Sequence, residues 1–175
     1  MTDTRRLSVA FEYSDHFTIQ VQNGNSNPLS GLRFTVDETS LSGVALDTFG
    51  IEDYLLTFSR EVLSKLPEIL DRKKTTIELF ALPVELVCEP SDEGVVDLTL
   101  MYASGPAETG AVPIALEGFC TEFVATITEF YRRLLAVNPS LEDDEKVRKL
   151  RADLDSIEAI MSEVGIREHT ERTDE

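Results

Sequence analysis

The chain has no tryptophan and only two histidines and two cysteines among its 175 residues. Two cysteines are too few for a disulfide framework or a zinc cluster, and Cys88 and Cys120 both fall at apolar positions of their local patterns. His16 and His169 are a small supply for acid–base or metal chemistry, and neither has a cysteine close by in the sequence. The pattern predicts buried free thiols, surface histidines and no metal site.

Sequence motifs of the common enzyme classes are also missing. The chain contains no phosphate-binding loop, dinucleotide fingerprint, zinc-protease motif or nucleophile elbow. Adjacent carboxylates such as Asp143–Asp144 stand at a predicted helix start, where the helix dipole favours them. The sequence therefore argues against an enzyme and predicts no cofactor. A small-molecule enzyme that acts through surface carboxylates is the least favoured alternative.

No apolar run reaches the 18 residues that would indicate a membrane-spanning helix. The first residues, MTDTRRLSVAFEYSD, differ from a signal peptide, because their apolar stretch is short and is broken by Glu12. The sequence therefore predicts a cytoplasmic protein with no membrane partner.

Acidic residues dominate the charge, with 33 Asp and Glu against 16 Lys and Arg and a net charge of −17. Such a chain is repelled by nucleic-acid phosphates and anionic lipids, so no nucleic-acid partner is expected. It would attract a basic protein partner. Acidity with little lysine also fits a salt-adapted protein, so a structural or housekeeping homo-oligomer is the alternative function.

Period-2 alternation predicts strands in the first forty residues and again between residues 76 and 102. LSVAFEY and FTIQVQ form a predicted antiparallel hairpin, and PSDEG marks the turn of a second hairpin. Helical spacing predicts helices over residues 50–70, 116–136 and 141–164, with Glu52 and Asp53 in the first turn of the first helix. The first two helices share their apolar phase at an offset of 65 residues, as a duplicated strand–strand–helix unit would, although any two amphipathic helices can coincide in this way.

These elements predict an α+β fold in which an antiparallel sheet of about six to seven strands carries two to three helices on one face. Residues 1–166 would form a single domain, with the last two helices as an αα-hairpin. Residues 167–175 form a predicted disordered acidic tail.

The third helix carries a narrow apolar seam with a strict three-four spacing. Its flanks are charged, so most of the helix would face water. The seam would pack against the second helix of the same chain, or it would form a homodimer or partner contact through the C-terminal helix. This seam is the candidate interface: Val147, Leu150, Leu154, Ile157, Met161 and Val164.

The order of the elements resembles that of small bacterial proteins, many of them immunity proteins of toxin systems. The resemblance lies in IELFALPVELVCEPSDEGVVDLTLMYA and in VPIALEGFCTEFVATITEFYRRLL, each with its flanking elements. It covers residues 49–70 and 95–135, and the third helix lies outside it. The resemblance implies a non-enzymatic protein that binds one protein partner, and it assigns no site residues.

Overall fold

The computed structural model describes residues 3–43 and 46–166. Within these ranges the chain folds into two antiparallel β-sheets, four α-helices and one 3₁₀ helix. The strands are β1 Leu7–Phe11, β2 Leu29–Val36, β3 Thr39–Ser40, β4 Ile51–Tyr54, β5 Thr75–Glu78, β6 Val84–Pro90, β7 Val95–Tyr102, β8 Gly105–Pro106 and β9 Val112–Ala115. The helices are α1 Asp15–Gln22, α2 Leu55–Leu70, α3 Leu116–Val137, the 3₁₀ helix Pro139–Asp143 and α4 Glu145–Glu163.

The predicted α+β class with antiparallel strands is confirmed, but the strands form two sheets where one was predicted. The first sheet is built on β2, which pairs with β1 on one side and with β3 and β4 on the other. The second sheet is built on β7, which pairs with β6 on one side and with β8 and β9 on the other, while β5 pairs with β6. Among the described residues, one isolated bridge joins Arg5, which precedes β1, to Ile114 of β9. Strand patterns in a sequence predict which segments pair locally, and they leave open whether two such groups share one sheet.

The two sheets repeat the same pairing register. Leu29 at the start of β2 lies opposite Tyr54 of β4, and Val95 at the start of β7 lies opposite Ala115 of β9. At the other end, Val36 and Tyr102 hold equivalent positions in their pairings with β1 and β6. The two halves therefore share a strand, a long central strand, two short strands on its far side, and a helix that follows directly.

The long helices of the two halves match at an offset of 61 residues, since α2 begins at Leu55 and α3 at Leu116. At this offset the buried residues coincide, as in the pair Phe58 and Phe119 and the pair Leu66 and Ile127. The predicted offset of 65 is therefore wrong by four residues, about one helical turn. The apolar phase of a helix repeats nearly every four residues, so phase alone could not distinguish these two alignments.

One predicted element is of the wrong type, and another begins at the wrong residue. FTIQVQ belongs to α1, because Ser14 caps the helix by accepting a hydrogen bond from the backbone N–H of Phe17, while Phe17 and Val21 are buried one turn apart. The alternation that suggested a strand depended on Ile19, whose side chain is exposed. Likewise, the predicted first helix begins only at Leu55, since the preceding residues form β4.

The last helix, α4, is shorter than predicted and begins after the 3₁₀ helix. Asp144 caps it by accepting hydrogen bonds from the backbone N–H groups of Lys146 and Val147. α4 packs against α3, as the predicted αα-hairpin requires, but it contacts α2 more extensively. Arg60 of α2 and Asp153 of α4 join the two helices through an ion pair of 2.7 Å. The buried residues of both sheets and all four α-helices form a single hydrophobic cluster.

Candidate functional site

The apolar seam of α4 lies almost wholly inside the chain. Five of its residues are at most 3% exposed: Val147, Leu150, Leu154, Ile157 and Met161. Val164, the sixth residue, is 57% exposed at the end of the helix. A dimer through this seam would therefore require α4 to leave α2 and α3 of its own chain.

The described cysteines and histidine do not form an arrangement suited to nucleophilic or metal chemistry. Cys88 and Cys120 are fully buried free thiols, and burial raises the pKa of each to about 12. Thiols with such pKa values stay protonated and unreactive at neutral pH. His16 is exposed on α1, and His169 lies outside the described residues. Within residues 3–43 and 46–166, no group of three or more His, Cys, Asp or Glu residues is arranged to hold a metal ion.

Asp53 is the one fully buried carboxylate among the described residues. Its side chain points inward from β4 and accepts hydrogen bonds from the backbone N–H groups of Phe80, at 3.0 and 3.1 Å, and of Ala81, at 2.8 Å. Burial raises the pKa of Asp53, and these backbone hydrogen bonds act in the opposite direction. Asp53 was predicted to lie in the first turn of a helix. In the structure it fixes the bend between β5 and β6.

A cleft of about 450 Å³ lies between α2 and the start of α4. Arg60, Lys146 and Lys149 give it basic character, but Arg60 is paired with Asp153 and Lys149 with Glu145 at 2.6 Å. The adjacent N-terminus of α2 is closed by Asn27, whose side-chain oxygen accepts hydrogen bonds from two backbone N–H groups at 3.0 Å each. The cleft therefore offers little unsatisfied binding capacity to an anion.

The outer face of the second sheet concentrates negative charge. Its inner residues, such as Leu86 and Leu98, are completely buried, and the residues between them point to solvent. We refer to this surface as the acidic sheet face, and it consists of Thr76, Glu78, Glu85, Val87, Glu89, Asp97, Thr99 and Met101. Neutral side chains occupy its centre, and carboxylates stand towards both ends of the strands.

Two like-charged pairs stand directly opposite each other across this face. Glu78 of β5 faces Glu85 of β6, and Glu89 of β6 faces Asp97 of β7. Like charges at directly opposed positions destabilise a sheet. The ion pair recorded on this face joins Lys74 to Glu89 at 3.3 Å, and both side chains are more than half exposed, so the pair adds little stability.

The first of these pairs borders a shallow hollow of about 270 Å³. Glu78 and Glu85 supply its negative charge, and Met101 and Tyr102 supply an apolar wall. A long basic side chain matches both features, because its aliphatic stem can lie on apolar surface while its charged end meets carboxylates. The acidic sheet face is therefore the candidate binding surface.

The sequence alone does not predict this surface, because the opposed pairs depend on the register between strands. The alternation in VELVCE does indicate that Glu85, Val87 and Glu89 share a face. Their partners across the sheet follow only from the hydrogen-bonded register, and a shift of one residue would have moved them to the other face.

No helix within the described ranges is both long enough and apolar enough to cross a bilayer. Comparison of the chain with protein-family models, with curated proteins and with solved structures finds no match.

Proposed function

We propose that the chain is a non-enzymatic protein-binding module that engages a basic protein through the acidic sheet face, in the manner of an immunity or inhibitor protein. The directly opposed pair Glu78 and Glu85, at the rim of an open hollow, is the observation that supports this proposal. A cationic side chain bound between the two carboxylates would attract both of them and so offset their mutual repulsion.

The partner's chemistry follows from the charge. A net charge of −17 steers basic proteins towards the chain and repels nucleic acids. A protein that binds nucleic acids must itself carry a positive surface, and the acidic sheet face complements such a surface. An inhibitor of this type would act by covering the partner's positive surface, and it needs no catalytic group of its own.

Binding of a synthetic oligolysine tests this proposal, with affinity measured by calorimetry at two salt concentrations. The test variant replaces Glu85, Glu89 and Asp97 by Gln, Gln and Asn. The control variant carries Gln at three exposed carboxylates of α3 and α4, namely Glu117, Glu158 and Glu163. Both variants lose three negative charges, so nonspecific attraction to the net charge falls equally in both.

We expect the test variant to bind oligolysine about tenfold more weakly than the control variant, because the face loses local charge complementarity. Equal weakening in the two variants would show that binding follows net charge alone, and the proposal would then be wrong. For the inhibitor role, the proposal also expects a gene for a basic toxin next to the gene for this chain.

A further inference from the structure

The outer edge of β1 in the first sheet is covered by side chains. The backbone N–H of Val9 donates to Oε1 of Glu122 at 2.7 Å, and its carbonyl oxygen accepts from the hydroxyl of Thr126 at 3.1 Å. Both side chains come from α3. An edge strand that is covered in this way cannot pair with a strand of another molecule.

The equivalent edge in the second sheet is treated differently. There β6 holds the place of β1, and β5 covers its outer edge as an additional strand. β5 then becomes an edge strand itself. The backbone N–H of Leu79 donates to the carbonyl oxygen of Val84 in β6, so by alternation the backbone groups of Thr76 and Glu78 point away from the sheet. Among the described residues, no hydrogen bond engages these outward backbone groups.

We propose that β5 pairs in an antiparallel manner with β5 of a second copy of the chain, with Thr76 opposite Thr76 on a twofold axis. In this register every outward-pointing residue meets another outward-pointing residue, as an antiparallel hydrogen-bonded pair requires. The two five-stranded sheets become one continuous sheet, and the interface is self-complementary, as twofold symmetry demands.

Charge complementarity selects both the second copy and the register. Pairing at Thr76 places Lys74 opposite Glu78 of the second copy, and symmetry repeats this ion pair at the other end. Lys74 directly precedes β5, at the end away from Glu78, and its side chain is more than half exposed although it also pairs with Glu89 of its own chain. The approach of Lys74 from the second copy also offsets the repulsion between Glu78 and Glu85 within each chain. Opposite charges at directly opposed positions stabilise sheet pairing.

A charge-exchange series tests the register, with dimerisation measured by sedimentation equilibrium up to about 1 mM protein. Lys74→Glu and Glu78→Lys each place like charges opposite each other at both ends of the interface. We expect each single variant to raise the dimer dissociation constant by about tenfold or more. The double variant Lys74→Glu/Glu78→Lys restores opposite charges and is expected to recover most of the wild-type association.

A second pair of variants tests the backbone pairing. Thr76→Pro removes the outward N–H, which an edge strand tolerates but a paired strand does not, so the variant is expected to stay folded and be monomeric. Thr76→Val keeps the N–H and is expected to remain dimeric. A monomeric wild type, a dimeric Thr76→Pro variant, or a double charge exchange that fails to restore the dimer would each overturn the proposal. No basic partner is present in these measurements, so their outcome is independent of the proposed binding function.

Discussion

At the scale of single residues, Asp53 places an ionisable side chain where the equivalent position of the second half buries an apolar one. Its equivalent in the second half is Ile114, which also lies on the short strand that leads into a long helix. Ile114 meets the N-terminal segment through its bridge with Arg5, while Asp53 holds the segment before β6 through two backbone N–H groups. The short strand before the long helix thus contacts a neighbouring segment at the same position in each half. It does so through a backbone bridge in one half and through a side-chain carboxylate in the other.

Removal of the Asp53 carboxylate should destabilise the protein. Asp53→Ala removes the acceptor of the part-buried hydrogen bonds from the backbone N–H groups of Phe80 and Ala81, at a cost of about 1–3 kcal/mol in the free energy of unfolding. Asp53→Asn keeps an oxygen that can accept from both groups, so a smaller loss is expected. Urea unfolding of the three proteins measures the difference.

Asp53 also makes the stability of the protein depend on pH, with a definite sign. Burial raises the pKa of Asp53 in the folded state, so the protonated carboxyl favours folding. This contribution to stability is present at low pH, and it is lost as the pH rises through the folded-state pKa. Wild type should therefore lose stability relative to Asp53→Asn as the pH rises above about 4, the unfolded value, and through the folded-state pKa. A wild-type-minus-variant difference that stays constant over this range would contradict the assignment.

At the scale of elements, local patterns predicted α3 and the two hairpin strands β6 and β7 correctly, because each has a long and unambiguous period. α1 was missed because Phe17 and Val21 satisfy both a strand and a helix spacing, and the decision depended on the cap at Ser14. β4 was absorbed into a predicted helix because its four residues are too few to establish a period. The acidic sheet face could not be derived from the sequence, since it depends on the register between three strands.

The seam of α4 also yields a prediction at this scale. Leu154 and Ile157 are 3% and 1% exposed, so replacement of either by Ala should lower the free energy of unfolding by about 2–5 kcal/mol in a single chain. Val164→Ala is the matched control and should change stability little, because Val164 already faces solvent. The alternative is that the seam is a site for a foreign partner, in which case Leu154→Glu would leave a folded monomer with an unchanged melt. Thermal melts together with sedimentation separate the two outcomes.

At the scale of the whole molecule, excess negative charge opposes the compact state. A net charge of −17 gives long-range repulsion between surface carboxylates, and the two opposed pairs of the acidic sheet face add a local contribution. Most of the ion pairs of the described residues involve well-exposed side chains, so they offset little of this repulsion. Screening by salt weakens repulsion between exposed charges.

We therefore expect the melting temperature to rise with added NaCl, by roughly 2–4 °C for each 1 kcal/mol of repulsion that is screened. The variant with Glu85, Glu89 and Asp97 neutralised should melt higher than wild type at low salt and gain less from added salt. The variant neutralised at Glu117, Glu158 and Glu163 has the same net charge but retains the opposed pairs, so it should keep more of the salt dependence. Calorimetric melts of the three proteins at several salt concentrations test this prediction. Identical salt dependence of the melting temperature in the two variants would contradict it, because the repulsion would then be spread over the whole surface and not concentrated in the opposed pairs.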